Sequence, residues 1–294
     1  MTTFNKKWLA VAAGLVLSSA SALANHIPSF TFSPEQFNVN PSSLNTVPGA
    51  LAPETTGPFV AGSITFDYRG LVSQGAGTGS GASASSPFAE MGTARFASFF
   101  DMVGGSPLPA GDTGLNLSSG TNGYRLYATF LGTGTATVNG AGGIDGLFNT
   151  FNVSIFVDKN NNTTFNAAGT QTSTAPTGGA GEDMLVLTGN LQVGGFHVFG
   201  GLANGDFDVI FNVTSFGAAP LFSTTVDGQP LTQGEINGVN SRTIGLALPP
   251  AAFANGEIDG SGNVQFQSVP EPASLALVGL ALAGIGLARK KKAA

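Results

Sequence analysis

The sequence contains no cysteine, and histidine occurs only twice, as His26 and His197. A chain without cysteine gains no disulfide cross-links, so its fold must rest on an apolar core. Thiol chemistry and cysteine-ligated zinc are excluded, and two histidines make a histidine-rich metal site hard to assemble. Apolar side chains are plentiful enough for a core, with 23 phenylalanines among them.

Positive charge is scarce between the two ends of the chain. Six of the 11 Lys and Arg lie in residues 1–24 and 269–294, whereas 16 of the 17 Asp and Glu lie in residues 25–268. Residues 25–268 therefore carry a formal net charge of −11. Nucleic-acid binding requires Lys and Arg to neutralise phosphates, so no nucleic-acid partner is predicted. Polysaccharide, calcium and other proteins fit this charge better.

The first 24 residues have the layout of a secretory signal peptide. Two lysines precede an apolar segment at residues 8–17, and the small residues Ala22 and Ala24 form the cleavage site. Cleavage leaves Asn25 as the new N-terminus. Because the apolar segment is too short to span a bilayer, we expect a cleaved signal-peptide helix and export through the inner membrane.

The last 26 residues combine a proline-rich triplet, an apolar run and a basic end. The run at residues 275–288 has no polar face, and as a helix it spans about 21 Å, short against roughly 30 Å of hydrocarbon. The cations behind it are expected on the cytoplasmic side. The sequence therefore predicts a single C-terminal transmembrane helix that holds the protein in the membrane before processing. The flanking residues are Pro270, Glu271 and Pro272 on one side and Arg289, Lys290, Lys291 and Lys292 on the other.

This tail resembles the PEP-CTERM sorting signal, which a membrane transpeptidase-like exosortase recognises. Residues 270–272 match the signature triplet, and residues 289–292 match the basic end. The resemblance implies that the tail is removed and that the protein reaches the surface of a Gram-negative bacterium that makes exopolysaccharide. A simple membrane anchor without processing is the alternative. The chain thus divides into a signal peptide (1–24), an exported domain (25–268) and a sorting tail (269–294).

The exported region reads as strands separated by glycine-rich turns. Apolar side chains alternate with polar ones in several segments, which predicts half-buried antiparallel strands. We expect an all-β fold, an antiparallel β-sandwich of jelly-roll or immunoglobulin type. Residues 75–86 are expected to form a long exposed loop, and residues 169–181 a second loose connection. The alternating segments are 64–68, 124–130, 153–157, 207–213 and 244–248.

One loop has the opening spacing of a calcium site. Asp158, Asn160 and Asn162 place oxygen-bearing side chains at every second position. Position six of the loop is Thr163 instead of glycine, and position twelve is Gly169 instead of an acid. Either Glu182 or Asp183 would have to complete the site from a neighbouring loop. A polar turn is the other interpretation, because Asn and Asp favour turns by bonding their own backbone. Apart from calcium here, no cofactor is predicted.

The exported region also resembles the flocculation-associated PEP-CTERM proteins, whose members support aggregation of cells into flocs held by exopolysaccharide. The resemblance is carried by residues 122–130, 153–165 and 181–186. It implies a nonenzymatic surface or matrix protein that supports floc or biofilm formation, with exopolysaccharide as a partner. No pair of acids and no Gly-x-Ser-x-Gly motif points to a catalytic site.

A calcium-assisted carbohydrate-binding module is the alternative function. In that interpretation Tyr68, Tyr124 or Tyr127 lies exposed on a sheet and stacks on sugars beside an ordered calcium loop. Packing of these rings in the core or at the rim of the sheet is the competing expectation.

Overall fold

A computed structural model describes residues 32, 34–41, 44, 57–102, 105–117, 123–165, 176–217, 221–222, 225–226 and 229–268. Within these ranges the protein is almost entirely β-structure, with one short helix, α1 (Ala110–Thr113). Short 3-10 turns lie at Gly81–Ser83 and Gly179–Gly181. The all-β expectation is therefore confirmed.

Eight long strands form the body of the molecule. They are β3 (Ser63–Gln74), β4 (Ser85–Phe100), β5 (Arg125–Val138), β6 (Ile144–Asp158), β9 (Met184–Val198), β10 (Gly205–Phe216), β12 (Gln229–Ile244) and β13 (Phe253–Ser268). The short strands are β1 (Phe37–Val39), β2 (Phe59–Ala61), β7 (Thr163–Thr164), β8 (Thr177–Gly178) and β11 (Thr225–Val226). The short strands β1 and β2 pair with each other, as do β7 and β8, while β11 extends the edge of β12.

The eight long strands make one closed antiparallel barrel. Their order is β10-β9-β6-β5-β4-β3-β13-β12, and β12 pairs back onto β10 from Gly205↔Asn240 to Asn212↔Gln233. Closure leaves the backbone of each long strand paired on both sides over most of its length. An eight-stranded barrel has an interior just wide enough for side chains to fill.

Glycine and aromatic residues alternate across neighbouring strands inside this barrel. A methyl group at any of seven glycines would come within 2.2–2.8 Å of a ring on the directly opposite residue. The rings therefore occupy the space that the glycines leave empty, which lets one sheet curl tightly enough to close. The pairs are Phe66–Gly262, Tyr68–Gly260, Phe88–Gly134, Phe130–Gly92, Phe196–Gly146, Phe207–Gly238 and Phe211–Gly234.

One end of the interior is densely packed by aromatic rings. At the end where β13 stops, Phe266 packs edge-on against Phe37 at 5.0 Å between ring centroids, and Phe222 lies 5.4 Å from Phe266. All three side chains are fully buried. We call Phe37, Phe222 and Phe266 the aromatic plug.

The middle of the interior is less completely filled. A cavity of about 50 Å³ lies there, lined mainly by phenylalanine and aliphatic side chains. Three polar side chains also reach it, those of Tyr68, Glu90 and Asn240. The Tyr68 hydroxyl donates a hydrogen bond to Asn240 Oδ1. We call this space the central cavity.

The predicted antiparallel β-sandwich with a C-terminal transmembrane helix is wrong as a description of this fold. A sandwich has two separate sheets, whereas the pairing of β10 with β12 joins all eight long strands into one closed sheet. The alternation of apolar and polar residues suggested two half-buried sheets. A barrel produces the same alternation, because successive side chains of each strand point to its inside and its outside in turn.

Two local predictions are also corrected. The expected loop at residues 75–86 is shorter, because β4 already begins at Ser85 and Ala84 is fully buried. The expected strand at residues 244–248 is wrong beyond Ile244, where β12 ends and the chain turns towards β13.

The described residues include no helix with the length and apolar character needed to cross a membrane. The predicted signal peptide with Ala22 and Ala24, the apolar run at 275–288, and the sorting residues at 270–272 and 289–292 lie outside the described residues.

Candidate functional site

The predicted calcium loop connects β6 to β7 at the end of the barrel where β13 stops. Asp158 is the last residue of β6, and its carboxylate accepts hydrogen bonds from the backbone N–H groups of Asn162 (3.3 Å) and Thr163 (3.0 Å). Asn161 has a positive φ of 53°, a conformation that asparagine adopts more readily than most residues. The Asp158 side chain therefore closes the turn in the way expected of a polar turn.

The structure brings both acids suggested for completing the site close to this loop. Asn160 Nδ2 donates to Glu182 Oε2 at 3.0 Å, and the Thr163 hydroxyl donates to Asp183 Oδ2 at 2.5 Å. The described ranges contain no group of three or more His, Asp and Glu side chains placed to hold a metal ion. Calcium at Asp158, Asn160 and Asn162 therefore stays a prediction.

Neighbouring acids set the electrostatics of the loop. Burial raises the pKa of Asp183, and hydrogen bonds from Thr163 and Tyr127 oppose that rise. The carboxylates of Asp158 and Glu182 raise the pKa of Asp183 further through like-charge repulsion. The loop thus brings together the carboxyl groups of Asp158, Glu182 and Asp183, each of which accepts hydrogen bonds.

The three tyrosines proposed to stack on sugars are all buried, which makes that part of the alternative function wrong. Tyr68 lies inside the barrel, with its ring 5.0 Å from that of Phe207. Tyr124 is buried next to α1. Tyr127 stacks on Phe156 at 5.2 Å and donates its hydroxyl to Asp183 at 2.9 Å. None of these ring faces is available to a ligand.

Hydroxyl and amide side chains line much of the outer wall. Thr133 and Thr150 are exposed and share a hydrogen bond of 2.7 Å between β5 and β6, and Thr188 and Thr214 share one of 2.8 Å between β9 and β10. One row of directly opposed amides crosses five strands: Asn152, Asn190, Asn212, Gln233 and Gln267. Asn152 and Asn190 are exposed, whereas Gln233 and Gln267 are buried and Gln267 Nε2 donates to Gln233 Oε1. Such a wall offers many hydrogen-bond donors and acceptors and little positive charge.

The few cations of the described barrel are engaged within the molecule. Arg69 Nη2 lies 3.1 Å from Glu257 Oε1, and Arg242 Nη1 lies 2.8 Å from Asp259 Oδ2. Arg95 lies over the ring of Phe165. Arg125 and Lys159 donate to backbone carbonyl groups of Asn161 and Leu44, respectively. The described barrel strands and loops therefore present no basic stripe of the kind that tracks a phosphate backbone.

The last strand leads directly to the proposed sorting tail. β13 ends at Ser268, two residues before Pro270. The carboxylate of Glu35 accepts hydrogen bonds from the Ser268 backbone N–H (3.1 Å) and from its hydroxyl (2.7 Å). Sequence reasoning missed Glu35, because nothing in its local pattern relates it to a strand more than 200 residues away.

Comparison with known families identifies the tail. The PEP-CTERM protein-sorting motif matches residues 268–291, so the resemblance predicted for the tail is confirmed. No curated protein and no solved structure matches the chain. The motif implies recognition by an exosortase, export and processing at the membrane, with the cell surface or the extracellular matrix as the destination.

Proposed function

We propose that the protein is a nonenzymatic component of the surface or matrix of an exopolysaccharide-producing Gram-negative bacterium, where it supports aggregation of cells into flocs or biofilm. The observation that carries the proposal is the PEP-CTERM motif, which begins at the last residue of the barrel. An exosortase would process the tail, and the barrel would be the part delivered to the surface.

The outer wall supports a role within polysaccharide. Threonine, asparagine and glutamine side chains hydrogen-bond readily to sugar hydroxyls and to the water that surrounds them. The net negative charge of residues 25–268 favours hydration and disfavours binding to nucleic acid. A closed barrel without disulfides also gives a compact scaffold on which this surface is displayed.

The sorting motif can be tested directly in the native host. We expect the wild-type protein to lose its tail and to support flocculation, and a variant with Pro270, Glu271 and Pro272 changed to alanine to retain the tail and remain in the membrane fraction. Intact mass, cell fractionation and a flocculation assay measure the three properties. The matched control is Pro53→Ala with Glu54→Ala, a Pro-Glu pair outside the motif.

Two results would contradict the proposal. If the mature wild-type protein keeps residues 289–292, the tail is not processed. If cells flocculate equally with and without the protein, it has no part in aggregation even when its tail is removed. The control variant should behave as the wild type in both assays.

A calcium-assisted carbohydrate-binding module is the second candidate. The approach of Asn160 to Glu182 and of Thr163 to Asp183 favours it, since these contacts gather oxygen atoms around the loop. The test is glycan binding in calcium and in EDTA by the wild type and by Asn160→Ala. Under the matrix proposal, binding is weak, broad and independent of calcium. Sugar-specific binding that needs both calcium and Asn160 would favour the module instead.

A further inference from the structure

The last residues of β13 lose one of their two neighbouring strands. On one side, β13 stays paired with β12 up to Leu231↔Ser268. On the other side, its pairing with β3 ends at Val264↔Ile64. The backbone groups of residues 265–268 on that side therefore need another partner or water.

Glu35 takes the place of the missing strand. Its backbone N–H donates to the Phe266 carbonyl at 2.9 Å, and its carboxylate accepts from the Ser268 N–H at 3.1 Å and from the Ser268 hydroxyl at 2.7 Å. The carboxylate thus serves as the acceptor that a strand carbonyl would have supplied. Two residues further along, Phe37 of the aromatic plug packs on Phe266 and fixes the segment in place.

The contact between Glu35 and residues 266–268, which we call the Glu35 cap, lies at the border of the sorting motif. The match to the motif begins at residue 268, and Val269 alone separates Ser268 from Pro270. Proteins that bind an extended peptide commonly do so through its main-chain N–H and C=O groups. In the folded barrel, the Phe266 C=O and the Ser268 N–H on the side of β13 that β3 no longer covers are already occupied by Glu35.

We propose that Glu35 gates access of the exosortase to the sorting motif by holding the end of β13 in the barrel. The enzyme engages the chain upstream of Pro270 only when residues 265–268 separate from Glu35. Glu35 is a positioning residue in this scheme and takes no part in the chemistry. The inference rests on exosortase processing of the tail and is independent of a role in flocculation.

The first test compares the rate of tail loss by pulse-chase and intact mass, using the full chain in the native host. We expect Glu35→Ala to lose its tail about tenfold faster than the wild type, because removal of two charge-assisted hydrogen bonds raises the open fraction and processing follows that fraction. Glu35→Gln, which keeps an acceptor oxygen, is expected to fall between them. Asp112→Ala, which changes an exposed acid of α1, is the control.

The second test separates gating from a general loss of stability. A flexible spacer of six Gly and Ser residues between Ser268 and Val269 moves the motif away from the cap. With the spacer, the wild type and Glu35→Ala should be processed at the same rapid rate. If Glu35→Ala acted only by destabilising the barrel, it would still lose its tail faster than the wild type with the spacer present.

Three outcomes would overturn the gate, and a fourth would contradict only the proposed function. Equal rates for the wild type and Glu35→Ala without the spacer would overturn the gate, as would a difference that persists with the spacer. A wild-type protein that never loses its tail would overturn processing and the gate together. Normal processing in a host whose flocculation does not depend on the protein would contradict only the proposed function.

Discussion

At the end of the barrel where β13 stops, the rings of Phe37, Phe222 and Phe266 are all fully buried and pack on one another. Midway along the barrel, by contrast, Glu90 points into the central cavity of about 50 Å³ and is only 8% exposed. Burial raises the pKa of Glu90 from 4.5 to about 7, and no hydrogen bond to the described residues offsets this effect. The interior of the barrel thus combines a tightly packed aromatic end with a polar, incompletely filled middle.

Truncation in the aromatic plug should have the largest effect. Phe266→Ala is expected to lower the free energy of unfolding by about 3–5 kcal/mol, because it removes a fully buried ring and leaves a hole among rigid neighbours. Phe207→Ala at the central cavity should cost less, since Phe207 is only partly buried and already borders empty space. Urea unfolding at constant pH measures both. Equal losses would remove the distinction between the two regions.

The pH dependence of stability should reveal Glu90. A carboxyl group whose pKa is raised in the folded state stabilises the fold when protonated, and this contribution disappears as the pH rises from 4.5 through about 7. The loss from Glu90 is about 3 kcal/mol. Glu90→Gln should therefore flatten the decline in stability between pH 5 and pH 8.

Part of that decline should remain in Glu90→Gln. Burial also raises the pKa of Asp208 to about 6 and that of Glu235 to about 7, so these acids titrate in the same range. Denaturant unfolding at several pH values gives the slopes. Parallel curves for the wild type and Glu90→Gln would mean that Glu90 is hydrated or paired in solution.

Two matched tyrosine substitutions compare a buried hydroxyl that is hydrogen-bonded with one that has no partner among the described residues. Tyr68→Phe should cost about 1–2 kcal/mol, because it leaves buried Asn240 without the hydroxyl that bonds its Oδ1. Tyr124→Phe should be close to neutral, since the buried Tyr124 hydroxyl has no hydrogen-bond partner in the described part of the chain. Thermal unfolding compares the two. The reverse order would show that the hydroxyl of Tyr124 is satisfied and that of Tyr68 is not.

The smallest effect is expected from filling the central cavity. Ala128→Val adds two methyl groups to the lining and should stabilise the barrel by about 1 kcal/mol. Ala61→Val, directly opposite Phe37 of the aromatic plug, should destabilise it, because no space is available there. The contrast is established if the free energy of unfolding rises in Ala128→Val and falls in Ala61→Val. A lower free energy of unfolding in both variants would contradict it.

Sequence patterns were reliable where apolar residues alternate without interruption. The segments at 64–68, 124–130, 153–157 and 207–213 lie almost wholly within β3, β5, β6 and β10. The patterns failed for β12 and β13, whose inward positions include Gly234, Gly238, Gly260 and Gly262. A glycine that faces an aromatic ring across the sheet contributes to the interior without an apolar side chain of its own, so the alternation is hidden.

The candidate sites also differ in whether the local sequence could reveal them. The sorting motif and the turn at Asp158 could be recognised because the residues that define each are close together in the chain. Glu90 also left a trace, as the acid in an inward series of Phe88, Gly92, Ala94 and Phe96. Glu35 left none, since its partners Phe266 and Ser268 are brought to it only by the fold.

The sequence by itself determined the export and sorting tail, the all-β class and the acidic, cysteine-free character of the exported region. These properties depend on residue type, short spacing and local alternation, which are written consecutively along the chain. Only the tertiary structure decided between sandwich and barrel, buried the tyrosines and brought Glu35 to Ser268. Each of these depends on a pairing between distant segments, above all that of β10 with β12, which is selected by how rings and glycines fit across the whole closed sheet.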